Sequence, residues 1–276
     1  MRLSRLEQRG PISLVVTDLD GTLWDADERI HARSLAALAE LERRATPVLV
    51  ATGRRPRSAA AGLAREGLTP PAVLLDGAVG QHLASGATFH RAPFSRSDAQ
   101  AVLRAFEECG VSPCLYVDRA DADVVVGNAP STRPEHLAHI GTWLARGDLA
   151  AVAAGEDVLA IGIVGHPAAQ LQAVASAIAH RAEAAVTRDL HFGEFTLVAR
   201  PRGISKWQGV EAFCREQGLD ATRVLAVGDG ENDIELLTGA SVACVVSDGC
   251  ESALALADHV LDPATAGGWC AILDLV

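Results

Sequence analysis

Two acidic strings stand out in the 276-residue chain: Asp18-Leu19-Asp20-Gly21-Thr22 and Gly228-Asp229-Gly230-Glu231-Asn232-Asp233. Clustered carboxylates can do two kinds of work. They can attack an electrophile or move a proton. They can also hold a hard cation such as Mg2+, which takes oxygen ligands, keeps several waters and usually accepts one or two protein carboxylates plus phosphate. Each string also admits a plainer reading: a strand-ending Asp-Gly turn for the first, and for the second a turn with Asp233 near a helix start, where negative charge is favoured anyway. Two further spots add hydrogen-bond donors and positive charge. Ala51-Thr52-Gly53-Arg54 offers a hydroxyl and main-chain N–H groups of the kind that bind anions at helix starts, or an ordinary Thr N-cap. Lys206 is the one lysine among 24 Lys and Arg residues. Its compact ammonium reaches a phosphoryl oxygen where a planar guanidinium is broad; the alternative is a surface lysine just inside a helix start.

Every one of these groups needs an element to carry it. Short apolar runs precede the acidic strings and the Thr52 string: Ile12–Thr17, Pro47–Thr52 and Arg223–Val227, with Ala72–Asp76 and Val242–Val246 of the same kind. They are apolar throughout instead of alternating, which suits strands buried on both faces of a parallel sheet. Helical spacing occurs between them in Ala32–Arg44 (Leu35, Leu38, Leu41), Trp207–Gln217 and Ile234–Leu237. Strand alternating with helix predicts a doubly wound α/β domain, in which ligands bind beyond the carboxyl ends of the strands.

The middle of the chain follows another pattern. Val79–Leu83 and Thr88–Ala92 flank a Ser85-Gly86 turn, and Pro113–Val117 with Asp123–Gly127 reads as a second hairpin. Helices are expected over Ser95–Cys109, Pro134–Arg146 and Pro167–Arg181, a strand over Val158–Val164, and a last strand pair over Ala184–Arg188 and Glu194–Ala199. This predicts an α+β domain, residues 83–195, inserted into a core made of residues 1–82 and 196–276. The spacing agrees. Asp18 to Thr52 is 34 residues, room for a loop, a helix and a strand; Thr52 to Lys206 is 154, room for a domain.

The four signals, in this order and each after an expected strand, resemble the haloacid dehalogenase-like hydrolase superfamily, and within it the Cof-type sugar-phosphate phosphatases, which carry an inserted α+β cap (C2B-type) on a Rossmann-like core. The resemblance implies a Mg2+-dependent phosphatase of small phosphorylated metabolites. Asp18 is then the nucleophile and a metal ligand. Asp20 is the acid and base, with its main-chain carbonyl on the metal. Asp229 and Asp233 hold the metal or its waters. Thr52 and Lys206 complete the catalytic set, Thr52 with the Gly53 backbone on phosphoryl oxygens. Gly53, Arg54 and Asn232 are assigned to substrate or phosphate binding, Asn232 by placing Lys206 or the phosphate. Two positions depart from the pattern: Asp76 stands where Asn is usual before Gly77, and Trp207 follows Lys206 where Gly is usual.

Composition narrows the partners. The formal net charge is −11, so nucleic acid and anionic membrane, which need a basic face, are poor partners. Residues 83–195 hold 8 Arg and no Lys against 13 Asp and Glu, a net of −5, which favours a neutral polyol or sugar leaving group over a polyanionic one. No signal peptide and no membrane span are expected, the six cysteines form no Cys-x-x-Cys pair, and the reading is a cytoplasmic protein, monomer or homodimer. Glu135-His136-x-x-His139 lacks zinc-protease order and reads as a solvated face, Asp118, Asp121 and Asp123 read as a hairpin tip, and Trp143 reads as core. Two other functions stay open: a phosphosugar mutase on the same scaffold, and a non-catalytic sugar-phosphate binding protein.

Overall fold

The computed structural model describes residues 11–128, 133–189 and 192–276. The chain divides into two compact units: one runs to Arg91 and resumes over Ser205–Val276, and the other is Ala92–Ile204.

The first unit opens with β1 (Leu14–Thr17), α1 (Ala32–Arg43), β2 (Val48–Ala51), α2 (Pro56–Arg65), β3 (Pro71–Leu74), β4 (Val79–His82) and β5 (Thr88–Arg91). The second unit holds α3 (Arg96–Glu108), β6 (Cys114–Tyr116), β7 (Val124–Val126), α4 (Pro134–Ile140), β8 (Leu144–Arg146), α5 (Leu149–Gly155), β9 (Ala160–His166), α6 (Ala168–Ile178), β10 (Ala182–Arg188) and β11 (Phe195–Pro201). The chain then returns to the first unit with α7 (Lys206–Gln217), β12 (Val224–Gly228), α8 (Ile234–Gly239), β13 (Val242–Val246), α9 (Glu251–Leu254) and β14 (His259–Leu261).

The first unit is built on an eight-stranded sheet in the order β14-β13-β12-β1-β2-β3-β4-β5. The pairs from β14 to β3 are parallel, and β4 and β5 add an antiparallel edge. The Val79–Arg91 hairpin, read from sequence with the middle of the chain, therefore pairs with β3 in this sheet. Apolar strand runs are explained by burial on both faces. Leu14 and Val16 share a core cluster with Val210 and Phe213 of α7 and Leu236 and Leu237 of α8. On the other side, the fully buried Trp269 donates from Nε1 to Thr17 Oγ1 at 2.9 Å.

Helix α7 starts at Lys206 because Ser205 caps it, its Oγ accepting from Trp207 N. It lies close on β3 through Gly209, where a Cβ would run into Val73. Gly209→Ala is thus a case of two opposed effects. Helix propensity favours Ala by about 1 kcal/mol, while overpacking a buried contact costs about 1–3 kcal/mol. The expected result is a net loss, seen as a melting temperature lower by roughly 2–4 °C; an increase would show that Val73 can yield.

The second unit has a six-stranded sheet, β10-β11-β9-β6-β7-β8, antiparallel except for β7 with β8. Residues of α3, α5 and α6, among them Phe106, Val152 and Val174, form its core with Leu115, Ile161 and Leu197 of the strands. Three expectations are corrected here. The helix expected over Pro134–Arg146 stops at Ile140. Gly141 takes φ +64°, a 3₁₀ turn follows, and Leu144–Arg146 pairs with β7 as β8; helical spacing of apolar residues does not register a waiting strand edge. His136, read as part of a solvated face, is buried with its ring 5.3 Å from that of Phe192. Trp143, read as core, is 40% exposed. Helix α5 has no counterpart in the sequence reading.

Candidate active site

The site follows from strand order. The sheet runs outward in both directions from β1, to β2 and β3 on one side and to β12, β13 and β14 on the other, so β1 lies at the switch point where open α/β sheets bind ligands. Thr17 is in register with Val227 of β12 and Val50 of β2. The loops leaving the carboxyl ends of three adjacent strands, at Asp18, Asp229 and Thr52, are therefore brought side by side.

Lys206 ties the ends together. Its Nζ donates to Asp18 Oδ1 at 2.8 Å and to Asp233 Oδ1 at 2.7 Å. Lys206 and Asp233 are fully buried and Asp18 is 5% exposed. The other oxygen of Asp233, Oδ2, accepts from the main-chain N–H of Asp229 and of Gly230, each at 3.0 Å. Asp233 thus shapes the loop that carries Asp229 while it holds Lys206. Gly228 admits this arrangement, since a Cβ there would lie 2.6 Å from Asp233 Cγ. Asp229 Oδ1 accepts from Thr22 Oγ1 at 2.9 Å, which joins the two acidic strings directly. Gly21, at φ +77°, passes so close that a Cβ would lie 2.8 Å from Asp229 Oδ2.

The charges do not balance. Burial pushes the Asp18 carboxyl well above the usual range, and the charges of Asp233, Asp229 and Asp20 add to this against the pull of Lys206. Asp229 is pushed up to about 6, by burial first and then by Asp233. Lys206 itself loses to burial but is held above its ordinary value by Asp18, Asp233 and Asp76. One ammonium is too little positive charge for this group of acids. Carboxylate oxygens of Asp18, Asp229 and Asp233 lie within 4.8 Å of one another, so all three can hold a single cation. Oxygen donors and excess negative charge suit a hard divalent ion.

Asp20 is in a different setting. Arg54 grips it with two bonds, Nε to Oδ2 at 2.7 Å and Nη2 to Oδ1 at 2.6 Å, and Trp24 Nε1 adds a third to Oδ1 at 3.0 Å. Burial raises this carboxyl, but the Arg54 bonds and charge outweigh it and hold it below the ordinary value. Its side chain is still 44% exposed, so solvent reaches it. Arg54 also bonds Glu28 through Nη1. Thr52 is buried, its Oγ1 accepts from Arg54 N at 3.2 Å and its carbonyl accepts from Asp76 N at 3.1 Å. Gly53 lies against the same side chain, with a Cβ placed 3.1 Å from Asp76 Oδ1. Asn232 Nδ2 donates to Asp76 Oδ1 at 2.9 Å. Asp76 follows Leu75 in a left-handed backbone, φ 50° and 49°, a strained run of the kind that clusters at functional sites. Trp207 packs over Gly239 of α8, against the core.

All nine residues singled out from sequence lie in this unit. Asp18, Asp229, Asp233 and Lys206 meet, Asp20 sits in the grip of Arg54, and Asn232 with Gly53 faces Asp76. Three contributors were not singled out: Thr22, although it closes the first string; Trp24; and Glu28. Trp24, which faces the Asp20 carboxylate, is fully buried, and an aromatic just past an Asp-Gly-Thr turn is the signal for it.

The haloacid dehalogenase-like hydrolase family matches residues 15–273. The chain belongs to that family. A relative from Methanopyrus kandleri, named a phosphoglycolate phosphatase, is 26% identical over 253 residues, 91% of this chain and 90% of its own. The fold is shared with a phosphatase of the haloalkanoate superfamily from Bacteroides thetaiotaomicron (TM-score 0.78, 20% identity, 97% of this chain and 96% of that one) and with a subclass IIB sugar phosphatase (TM-score 0.76, 19% identity, 95% and 98%).

Proposed function

We propose that this hydrolase is a Mg2+-dependent phosphatase of small phosphorylated metabolites, working through a phosphoryl group carried on Asp18. The observation that carries the reading is the buried contact of Lys206 with Asp18 and Asp233, beside Asp229. It presents a carboxylate oxygen, fixed in direction, where an ammonium can offset the repulsion between that carboxylate and an incoming phosphate.

Asp18, Asp229, Asp233 and the Asp20 carbonyl would hold Mg2+, which when bound supplies positive charge for the phosphoryl oxygens. Asp18 attacks phosphorus. Asp20, open to solvent, delivers a proton to the departing oxygen and later takes one from water. Thr52 and the Gly53 backbone orient the phosphoryl group, and Asn232 braces the Asp76 side of the site. Phosphoglycolate and sugar phosphates lead the substrate candidates, on the strength of the relatives' names. Six free cysteines, with Cys244 pushed up to about 12 by burial and then by Asp258, fit a reducing cytoplasm. Among the described residues, no helix is long and apolar enough to cross a membrane.

The test is phosphate release from a panel containing 2-phosphoglycolate and several sugar phosphates. Turnover should stop in excess chelator and return with Mg2+, and Mg2+ should raise the melting temperature of metal-free protein by relieving carboxylate repulsion. Full activity in chelator, or no release from any ester, would remove the proposal.

A further inference from the structure

We propose that the Trp24 indole N–H is a positioning group that decides which oxygen of Asp20 exchanges protons. The proposal rests on the reading of Asp20 as acid and base.

Asp20 Oδ1 accepts from both Arg54 Nη2 and Trp24 Nε1, while Oδ2 accepts from Arg54 Nε alone. A carboxylate oxygen has two lone-pair sites. Those of Oδ1 are taken, and one of Oδ2 is left. The proton therefore comes and goes at Oδ2. In the first half-reaction Oδ2–H passes its proton to the ester oxygen as the P–O bond breaks and the Asp18–phosphorus bond forms. In the second, Oδ2 takes a proton from water as the water oxygen bonds to phosphorus and the Asp18 carboxylate is released.

Trp24 is well placed to enforce this. It is fully buried. Its N–H and C=O are both bonded within the loop, to Leu19 O and from Gly21 N. Its ring edge sits on Gly62, where a Cβ would lie 2.8 Å from Cη2. The same ring lies under the Arg54 guanidinium, 4.8 Å from centroid to Cζ. Glu28 takes the remaining end of Arg54 and also bonds Arg65. One rigid indole thus both donates to Oδ1 and carries the arginine that spans the two oxygens. With its donor removed, Oδ1 gains a free site, and the carboxylate can turn or offer its proton from the wrong oxygen.

The experiment compares kcat/KM on an alkyl phosphate with kcat/KM on p-nitrophenyl phosphate, whose leaving group departs without a proton. The variants are Trp24→Phe and a protein carrying 3-benzothienylalanine at position 24, which keeps the indole shape and lacks the N–H. General acid catalysis contributes about 10²–10⁴-fold, so a misplaced acid should cost the alkyl ester about 10–100-fold and the nitrophenyl ester less than about 3-fold. Equal losses on both esters, or none in the isosteric variant, would overturn the positioning role. Asp20→Asn separates the two layers. If it shows the leaving-group split and the Trp24 variants do not, only Trp24 is misassigned; if it shows no split, the acid-base reading of Asp20 falls as well.

Discussion

Asp18→Asn is expected to reduce turnover by at least about 10⁴-fold while leaving the protein folded. Removing an essential nucleophile costs factors of this order or more, because the remaining binding groups cannot replace it. The fold has no reason to suffer. The amide keeps the shape, Asp233 still pairs Lys206, and the substitution removes one member of a crowded acidic group. Burial and neighbouring carboxylates raise the Asp18 carboxyl in the folded protein, so its ionised form opposes folding at neutral pH when no cation is present. A neutral isostere should therefore hold the melting temperature of metal-free protein or raise it. Phosphate release at near wild-type rate, with mass spectrometry excluding deamidation back to Asp, would rule out the covalent mechanism. A folded, inactive variant with an unchanged or higher melting temperature is the predicted outcome.

Lys206→Arg should not behave as a conservative change, and Lys206→Met should be worse. The ammonium sits at 2.7–2.8 Å from two carboxylates with no exposure. A guanidinium is broader and its donors point in fixed directions, so fitting it requires Asp18 or Asp233 to move. A displacement of about 1 Å commonly costs on the order of 100-fold in rate, and overpacking adds about 1–3 kcal/mol of instability. Methionine keeps the volume and removes the charge. It leaves Asp18 and Asp233 buried without a cation, a defect that costs about 3–5 kcal/mol when one member of a buried pair is lost. It also leaves the repulsion between Asp18 and the phosphate unrelieved. The measurement is kcat/KM on the best ester, with thermal melts alongside. If Lys206→Arg retains more than about half the wild-type value, Lys206 is not where the phosphoryl group is handled.

Much of this architecture could be read from residue order alone. Both acidic strings and the Thr52 string follow apolar runs, and all three runs are strands of one sheet within two residues of the expected bounds. The physical reason is that burial on both faces leaves a continuous apolar signature, and that a loop at a strand end needs small and acidic residues locally. The separation of 154 positions from Thr52 to Lys206 likewise requires an inserted body whatever its fold.

Partner choice was settled by the tertiary structure. Nothing near Arg54 in sequence shows that its guanidinium closes on Asp20, 34 positions earlier, and on Glu28. Nor does anything near Asn232 show that it meets Asp76 across 156 positions. The same limit explains the end of α4, where the apolar spacing of Leu137 and Ile140 continues to Leu144, yet the edge of β7 takes that residue into a sheet. Periodicity reports which face of a segment is apolar; it carries no record of what that face, or a polar group on the other one, will meet. The acids and the lysine of the site were therefore determined by the sequence as a set. The Arg54 clamp on Asp20 and the bridge from Lys206 to two carboxylates exist only because strand order brings distant loops within hydrogen-bond distance, whereas Trp24 reaches Asp20 within a single loop.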